Sequence, residues 1–404
     1  MSKKLIIIIS VVLTLIVVVL VGFYILNQTS NGTDGEPGGF KNFFPFGGNN
    51  TPAGTTNIST TTEVAQTGQK NFTQKLRNLS VEPVAGAGTL DIKAGTSVRY
   101  IEKATGHIFE VELFSPNQNR ISNTTIPVVY DALWLNKNNS LIARYLKGDN
   151  QTVDTYSLTL KSVSTTTENT ISGIVYPRNI TDVSVFGTSV FYLIKNSDSS
   201  SGFISNFDGK NKKQIWSSPI KELLSQYVNT KTIALTTKPA QNIPGFLYFV
   251  DTGTGQVRKI LGDVPGLSTL VSADTNSILY LEEGNDVGIS VFDQKAKSYT
   301  KMTPVTFPEK CVWSNKTKNV LYCAVPREFL NGESLTSWYK GLISFSDDIW
   351  RFDTTSNTAS LIENLSNDAG QSLDVIKPIL SENEQYLVFM NKADNTLWSL
   401  DLLK

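Results

Sequence analysis

The chain of 404 residues contains one histidine and two cysteines. A Ser-His-Asp or Cys-His catalytic site would therefore have to use His107, and no Gly-x-Ser-x-Gly nucleophile elbow occurs. A metal site built from clustered histidines and cysteines lacks its ligands. We therefore expect no metal and no cofactor, and we expect a binding protein rather than an enzyme.

A surplus of charge of either sign is also missing, because Lys plus Arg and Asp plus Glu both number 36. No global field attracts phosphate groups, and no cluster of Lys and Arg is interleaved with aromatic residues. The sequence therefore predicts no nucleic-acid partner.

Charge is absent altogether from residues 5–26, which follow Lys3 and Lys4. As a helix this run would be about 33 Å long, enough to cross a lipid bilayer. The alternative is a secretory signal peptide, which has a shorter apolar region and a small-residue cleavage motif. The two lysines favour a cytoplasmic N-terminus. We predict a single-pass anchor at residues 1–26 that contacts the bilayer through residues 5–26 and leaves the rest of the chain extracytoplasmic.

The next segment, residues 27–72, is rich in Gly, Asn, Thr, Ser and Pro and carries little charge. Such a composition cannot bury enough apolar surface to fold, so it predicts a flexible linker.

The third predicted domain, residues 73–404, repeats a short apolar run that ends near an acid or another polar residue. The runs are residues 107–112, 156–161, 203–208, 247–251, 289–293, 349–353 and 397–401. Their last residues are spaced by 49, 47, 43, 42, 60 and 48 positions. Periods of this length are typical of propeller blades with four strands each. The fold class predicted is therefore all-β, a seven-bladed β-propeller.

A hairpin precedes each run, and three of the hairpins share an apolar residue followed by Ser. They begin at Val271-Ser272, Trp313-Ser314 and Leu380-Ser381. Here residues 75–404 resemble the WD40-like repeats of the TolB family of propellers, whose hairpin reads apolar-Ser-Pro-Asp-Gly. This chain keeps the Ser and lacks the Pro and Gly. The resemblance implies a propeller and no particular function, because such propellers serve binding, assembly and catalysis.

The last repeat contains three strands where the others contain four. Residues 75–80 could supply the missing outer strand, which would close the ring with both ends of the chain and leave no exposed sheet edge.

The longest spacing marks an insertion at residues 326–341, between the second and third strands of the sixth blade. It carries Arg327, Trp338, Tyr339 and Lys340, which would suit a sugar or a protein side chain. The alternative is that the two aromatics cap the loop's own core or plug the channel. His107 lies on the equivalent loop two blades onward, so it could border the same mouth. These five residues are the candidate ligand contacts.

Cys311 and Cys323 lie on the two arms of one hairpin. A cross-strand disulfide is sterically allowed if they face each other, and two buried free thiols are the alternative.

Together these patterns favour an anchored extracytoplasmic propeller that binds or scaffolds an envelope protein or a cell-wall glycan. An extracytoplasmic lyase or hydrolase with its site in the channel mouth is one alternative. A TolB-like structural or assembly component is the other.

Overall fold

The computed structural model describes residues 74–122, 124–135, 139–149, 152–162, 169–284, 286–328 and 335–404. These residues form an all-β propeller of seven blades with four strands each, which confirms the predicted fold class. Two short α-helices, α1 (Leu335–Tyr339) and α2 (Leu365–Ala369), and a 3₁₀ helix at Pro308–Lys310 lie between strands.

Each blade runs from a strand beside the central channel to a strand at the rim. The innermost strands are β2 (Val84–Ile92), β6 (Val129–Trp134), β10 (Ile180–Phe186), β14 (Leu223–Asn229), β18 (Ser268–Val271), β22 (Cys311–Trp313) and β26 (Val375–Leu380). The second strands are β3 (Gly95–Glu102), β7 (Ser140–Leu146), β11 (Ser189–Lys195), β15 (Thr232–Thr237), β19 (Ser277–Glu283), β23 (Val320–Pro326) and β27 (Tyr386–Asn391). The third strands are β4 (Ile108–Glu112), β8 (Val153–Ser162), β12 (Ser200–Asn206), β16 (Pro244–Asp251), β20 (Val287–Asp293), β24 (Asp347–Asp353) and β28 (Leu397–Asp401). The outer strands are β5 (Gln118–Ser122), β9 (Asn169–Val175), β13 (Lys213–Ser218), β17 (Val257–Pro265), β21 (Ser298–Met302), β25 (Thr358–Glu363) and β1 (Leu76–Asn78).

The hydrophobic core lies between neighbouring blades, which explains why the second strands are apolar on both faces. In β11, Phe191 packs toward the fourth blade, whereas Tyr192 packs toward the second. Both side chains are at most 1% exposed. Because successive residues of a strand point to opposite faces, a sheet covered on both sides reads as a continuous apolar run.

The acidic residues at the ends of several repeats accept hydrogen bonds within the turns that follow the third strands. Asp251 Oδ1 accepts hydrogen bonds from the backbone N–H groups of Gly253 and Thr254, at 3.0 and 2.7 Å. Asp293 and Asp353 cap their turns in the same way. These bonds favour the ionised carboxylates and lower their pKa values. The repeated acid therefore has a local structural role.

The ring closes as predicted. β1 pairs antiparallel with β28, with Leu76 opposite Leu400 and Asn78 opposite Trp398. The two ends of the propeller thus share one blade, with strand order β1-β28-β27-β26. This pairing removes the free edge that the last three strands would otherwise expose.

Loops between the second and third strands share one face of the ring with the connections between blades. We call this the upper face. At its inner rim, the innermost strands of four consecutive blades, the seventh and the first to third, contain a β-bulge. The register shifts lie between Ile376 and Ile379, Val84 and Gly86, Val129 and Asp131, and Ile180 and Asp182. A bulge changes the direction of the side chains beside it.

No helix in the part of the chain that the structure describes is long and apolar enough to cross a membrane. The predicted anchor at residues 1–26 and the linker at residues 27–72 lie outside the described residues, so both stay predictions.

Candidate functional site at the upper channel mouth

The insertion of the sixth blade joins β23 to β24, as its position in the repeat predicts. Its helix α1 carries Trp338, which is only 2% exposed and belongs to the core between the fifth and sixth blades. The Trp338 ring stacks on Phe307 with centroids 5.5 Å apart, and its indole N–H donates to Asp374. In this structure, Trp338 has almost no surface to offer a ligand.

A buried ionic network lies beneath Trp338. The Lys310 ammonium is 0% exposed and donates to Asp347 Oδ2 at 2.5 Å and to Asp374 Oδ1 at 2.6 Å. It also lies 5.0 Å from the centre of the Trp338 ring. Burial raises the pKa of Asp347 to about 6, although Lys310 favours its ionised form. Lys310 precedes the innermost strand of the sixth blade and Asp374 precedes that of the seventh, so the network joins both blades to the insertion.

The neighbouring Tyr339 is 41% exposed, but its hydroxyl turns inward and donates to Glu309. Enclosure of that hydroxyl and the adjacent Glu309 carboxyl raise the pKa of Tyr339 well above its usual range. Lys340 is exposed. Of the aromatic pair, only Tyr339 has appreciable exposed surface.

Arg327 lies elsewhere on the same loop and binds Asp348 through Nε and Nη2, at 2.9 and 2.8 Å. It borders a cavity of about 500 Å³ whose lining includes Ser344, Ser346 and Ser372. Arg327 and the α1 residues therefore contact different surroundings.

His107 occupies the predicted upper-face loop of the first blade and is half-buried. Its Nε2 lies 3.4 Å from Thr125 Oγ1. Within the described part of the chain, no hydrogen bond, ion pair or ring contact joins His107 to the insertion. The structure thus does not bring the five candidate ligand contacts together, and their role in binding stays a prediction.

The two cysteines lie directly opposite each other in β22 and β23, and their sulfur atoms are bonded. Both are buried between the fifth and sixth blades, at 4% and 0% exposure.

Charged side chains converge at a different place, the upper end of the channel. Lys377 of the seventh blade binds Asp131 of the second blade, across the first. Since the first blade lies between them, both side chains must reach into the channel. Arg144 Nη1 lies 4.0 Å from Asp131, and its guanidinium covers the Tyr130 ring at 5.2 Å. Lys103 completes the group: burial and the nearby Lys377 lower its pKa, and Asp131 opposes this shift. We call Lys103, Tyr130, Asp131, Arg144 and Lys377, together with Asp182, the mouth cluster.

The backbone conformation of the innermost strands sets the direction of the side chains in the mouth cluster. Lys377 lies inside the bulge of β26 with φ of 50°, a left-handed conformation that is costly for a residue with a side chain. This conformation directs its ammonium toward the Ala85 carbonyl, at 3.1 Å, as well as toward Asp131. Asp131 and Asp182 each follow the bulge in their own strand.

Asp182 lies on the innermost strand of the third blade, at the end of the cluster away from Lys377. Its Oδ2 accepts hydrogen bonds from the backbone N–H and the hydroxyl of Ser225, both at 2.6 Å. Burial raises the pKa of Asp182 to about 6, although the Ser225 bonds and the charge of Arg144 act in the opposite direction. Burial also raises the pKa of Tyr130 to about 12. Perturbed pKa values on convergent groups in a concave surface are typical of functional sites.

Below the cluster, the channel wall becomes apolar. A cavity of about 260 Å³ is bordered by Lys377 and by innermost-strand residues that include Leu133, Trp134, Val185 and Ile379. On the side of the seventh blade it extends to residues of the second and third strands, namely Val388, Phe389, Met390 and Leu397. The channel therefore changes from charged to apolar along its axis.

The mouth cluster was not identified from the sequence, although a signal is present. Each acid is the third residue of a largely apolar strand, in Val129-Tyr-Asp131 and in Ile180-Thr-Asp182. A charged residue inside an innermost strand of a propeller can face only the channel or a blade interface. Among the described residues, no group of three or more His, Cys, Asp and Glu side chains is placed to hold a metal ion.

Comparison with known proteins supports the fold. No protein-family model matches the sequence, and no curated protein does either. Among solved structures, oligogalacturonate lyase from Vibrio parahaemolyticus aligns with 10% identity and a TM-score of 0.54, over 82% of this chain and 95% of that one. Oligogalacturonate lyase in complex with manganese aligns with 11% identity and a TM-score of 0.50, over 80% and 98%. TolB from Acinetobacter baumannii aligns with 12% identity and a TM-score of 0.42, over 78% of each chain. At these identities the likeness is one of β-propeller fold.

Proposed function

We propose that this protein is a membrane-anchored extracytoplasmic binding propeller that holds a carboxylate-bearing segment of an envelope protein at the mouth cluster. The observation that carries the proposal is the grouping of three cations near one carboxylate. Lys377 binds Asp131 and Arg144 Nη1 lies 4.0 Å from it, while Lys103 is close enough for Asp131 to affect its pKa.

The charges of the cluster favour an anion. Counting Asp182 as ionised at neutral pH, three cations face two carboxylates, which leaves one positive charge unmatched. The mutual repulsion of Lys103 and Lys377 contributes to the lowered pKa of Lys103. An incoming carboxylate would relieve that repulsion and accept charge-assisted hydrogen bonds.

The Lys377–Asp131 pair of the cluster is also accessible, whereas the Arg144 side chain is only 11% exposed. The Lys377 side chain is 45% exposed and that of Asp131 is 21% exposed. Charges at a wet rim contribute to partner choice and association rate more than to fold stability. The bulges and the left-handed Lys377 hold the charged groups in place before the ligand arrives, which lowers the entropy cost of binding.

The test measures binding of two anionic probes to the full-length protein in detergent by fluorescence anisotropy. One is a labelled acidic peptide and the other a labelled oligogalacturonide. We expect the peptide to bind in a salt-sensitive way and Lys377→Met to weaken it about tenfold. Lys210→Ala is the matched control, because Lys210 is an exposed lysine on the opposite face. Binding of the oligogalacturonide alone would identify a glycan ligand, and binding of neither probe would overturn the proposal.

An enzymatic role is the second candidate, and Asp182 is the observation that favours it. A carboxyl with a pKa of about 6 beside Tyr130 and Arg144 is suited to accept a proton above that pH. The similar solved structures include a lyase for oligogalacturonate, a chain of uronic acids.

If this protein cleaves such a substrate by β-elimination, the product carries a new carbon–carbon double bond that absorbs in the ultraviolet. Activity should then rise with pH through about 6 and disappear in Asp182→Asn. No absorbance change at any pH from 5 to 8 would exclude this lyase reaction.

A further inference from the structure

We infer that the channel accepts the carboxyl-terminal residue of its partner protein, with the terminal carboxylate at the mouth cluster and an apolar side chain in the cavity below. This inference rests on the proposed function and names the chemistry of the partner segment.

The cavity and the cluster form one continuous surface, because Lys377 belongs to both. Its ammonium binds Asp131 in the cluster, and the same side chain borders the cavity. The opposite wall consists of Leu133, Trp134 and Val185, from the innermost strands of the second and third blades. The Trp134 indole N–H donates to the Gly86 carbonyl, at 3.2 Å, which fixes the ring beside the cavity that it borders.

This combination selects an amphipathic ligand. Apolar surface removed from water contributes about 25 cal/mol per Å², and a glycan offers less such surface than an aliphatic or aromatic side chain does. A carboxylate placed inside the apolar part would lose its hydration without a partner. The mouth cluster and the cavity are therefore together complementary to a ligand whose charge lies next to an apolar group.

The size of the cavity limits the ligand further. Pockets for drug-sized molecules enclose roughly 300–1,000 Å³. The cavity of about 260 Å³ is smaller than this range, so it suits one amino-acid residue rather than a long segment.

The topology favours a chain end over a loop. The ring of seven blades is closed by the pairing of β1 with β28, so a ligand enters along the channel axis rather than between blades. A loop would need room for two passages of the chain, whereas a terminus needs one. A carboxyl terminus also carries its carboxylate and its side chain on the same residue, which matches the proximity of the cluster and the cavity.

The experiment uses three labelled pentapeptides with the full-length protein in detergent, again by anisotropy. The first ends in phenylalanine with a free carboxylate, the second is its carboxyl-terminal amide, and the third ends in serine with a free carboxylate. We expect the first to bind and the other two to bind at least about tenfold more weakly. Ala87→Leu, which fills the cavity from the first blade, should weaken the first peptide to the level of the third. Val185→Phe fills the cavity from the third blade if Ala87→Leu fails to fold. Lys210→Ala should leave all three affinities unchanged.

The outcomes separate this inference from the proposed function. Equal binding of the phenylalanine and serine peptides, both weakened by Lys377→Met, would keep the anion site and overturn the apolar one. Equal binding of the free and amidated peptides would overturn the role of the terminal carboxylate. Displacement of the first peptide by hexanoate at peptide-like concentrations would indicate a free amphipathic acid as the ligand and overturn the assignment to a protein terminus. No binding of any peptide at millimolar concentration would overturn the inference outright.

Discussion

The ionic network beneath the insertion of the sixth blade and the mouth cluster contain similar residues: each has a lysine bound to aspartate and an aromatic ring beside a cation. Their surroundings differ. Beneath the insertion, Lys310 is 0% exposed and is held by two carboxylates that are themselves fully buried. At the mouth, the Lys377 side chain is 45% exposed and shares Asp131 with other cations. The same chemistry therefore stabilises structure in one region and stays available to a ligand in the other.

The difference follows from how charges behave on burial. A buried charge must find partners within the protein, and each partner that it loses is costly. A charge at a wet rim keeps part of its hydration, so exchanging one partner for a ligand costs little. A conspicuous loop is thus a weaker indicator of a binding site than the accessibility of its charges.

The strongest test of this contrast removes the buried cation. Lys310→Met leaves Asp347 and Asp374 buried without their counter-ion, and we expect a loss of about 4–5 kcal/mol in the free energy of unfolding. Chemical denaturation followed by tryptophan fluorescence measures the loss. Lys340→Ala, which replaces an exposed lysine of the insertion above the network, is the control and should change stability by less than about 0.5 kcal/mol. A similar small effect for Lys310→Met would show that the network does not stabilise the fold.

The second test separates the two adjacent aromatics of the insertion. From the sequence, replacing both Trp338 and Tyr339 would be expected to weaken ligand capture with little effect on stability. Because Trp338 is 2% exposed and packed on Phe307, the structure leads us to expect the reverse for this residue. Trp338→Ala should cost about 3–4 kcal/mol. Tyr339→Ala should cost less, since Tyr339 is 41% exposed. Thermal melts of both variants decide the matter, and equal melting temperatures would contradict the burial of Trp338.

The third test concerns the covalent link beside the insertion. Cys311 and Cys323 are 12 positions apart, and closing a loop of this length stabilises a protein by about 3 kcal/mol in the chain-entropy model. The Cys311→Ala, Cys323→Ala double variant should lose that amount while peptide binding at the mouth is unchanged. Thiol titration of the unfolded wild-type protein should detect no free cysteine. Two titratable thiols would show that the bond is absent.

The sequence contained enough information to predict the ring, because its signals are repeated and local. The turn acids Asp251, Asp293 and Asp353 recur for the same reason, namely hydrogen bonds to the turn that follows each of them. The hairpin serines recur similarly: Ser272 and Ser381 accept bonds from the backbone N–H groups of Ser277 and Tyr386. The last strand of the ring could be located because one repeat was short by one strand.

The site could not be predicted in the same way, because it depends on contacts distant in sequence. Lys377 and Asp131 are 246 positions apart, and only the closed ring brings them together. The direction of Trp338 depends on Asp374 and Phe307, which lie on inter-blade connections. The bulges that aim the mouth cluster have no glycine or proline signature in β6 or β10. Loop length and residue type were visible in the sequence, whereas burial was not.

The smallest expected effect concerns the stability that the folded protein loses when the buried Asp182 of the mouth cluster ionises. Burial raises the pKa of Asp182 from its usual 3.8 to about 6, so the folded protein binds this proton more tightly than the unfolded chain does. The stability that Asp182 contributes is therefore present below about pH 4 and is lost as the pH rises through about 6.

Asp182→Asn cannot ionise, so it should lack this loss. From pH 4 to pH 7 we expect the free energy of unfolding of the wild type to fall by about 1–2 kcal/mol relative to the variant, after allowance for solvent screening. Denaturant titrations at four pH values measure this difference. Asp154→Asn is a control carboxyl paired with Lys147 on the second blade. A constant difference between wild type and Asp182→Asn would show that Asp182 is as well solvated in the folded protein as in the unfolded chain, and the mouth cluster would then lack its perturbed acid.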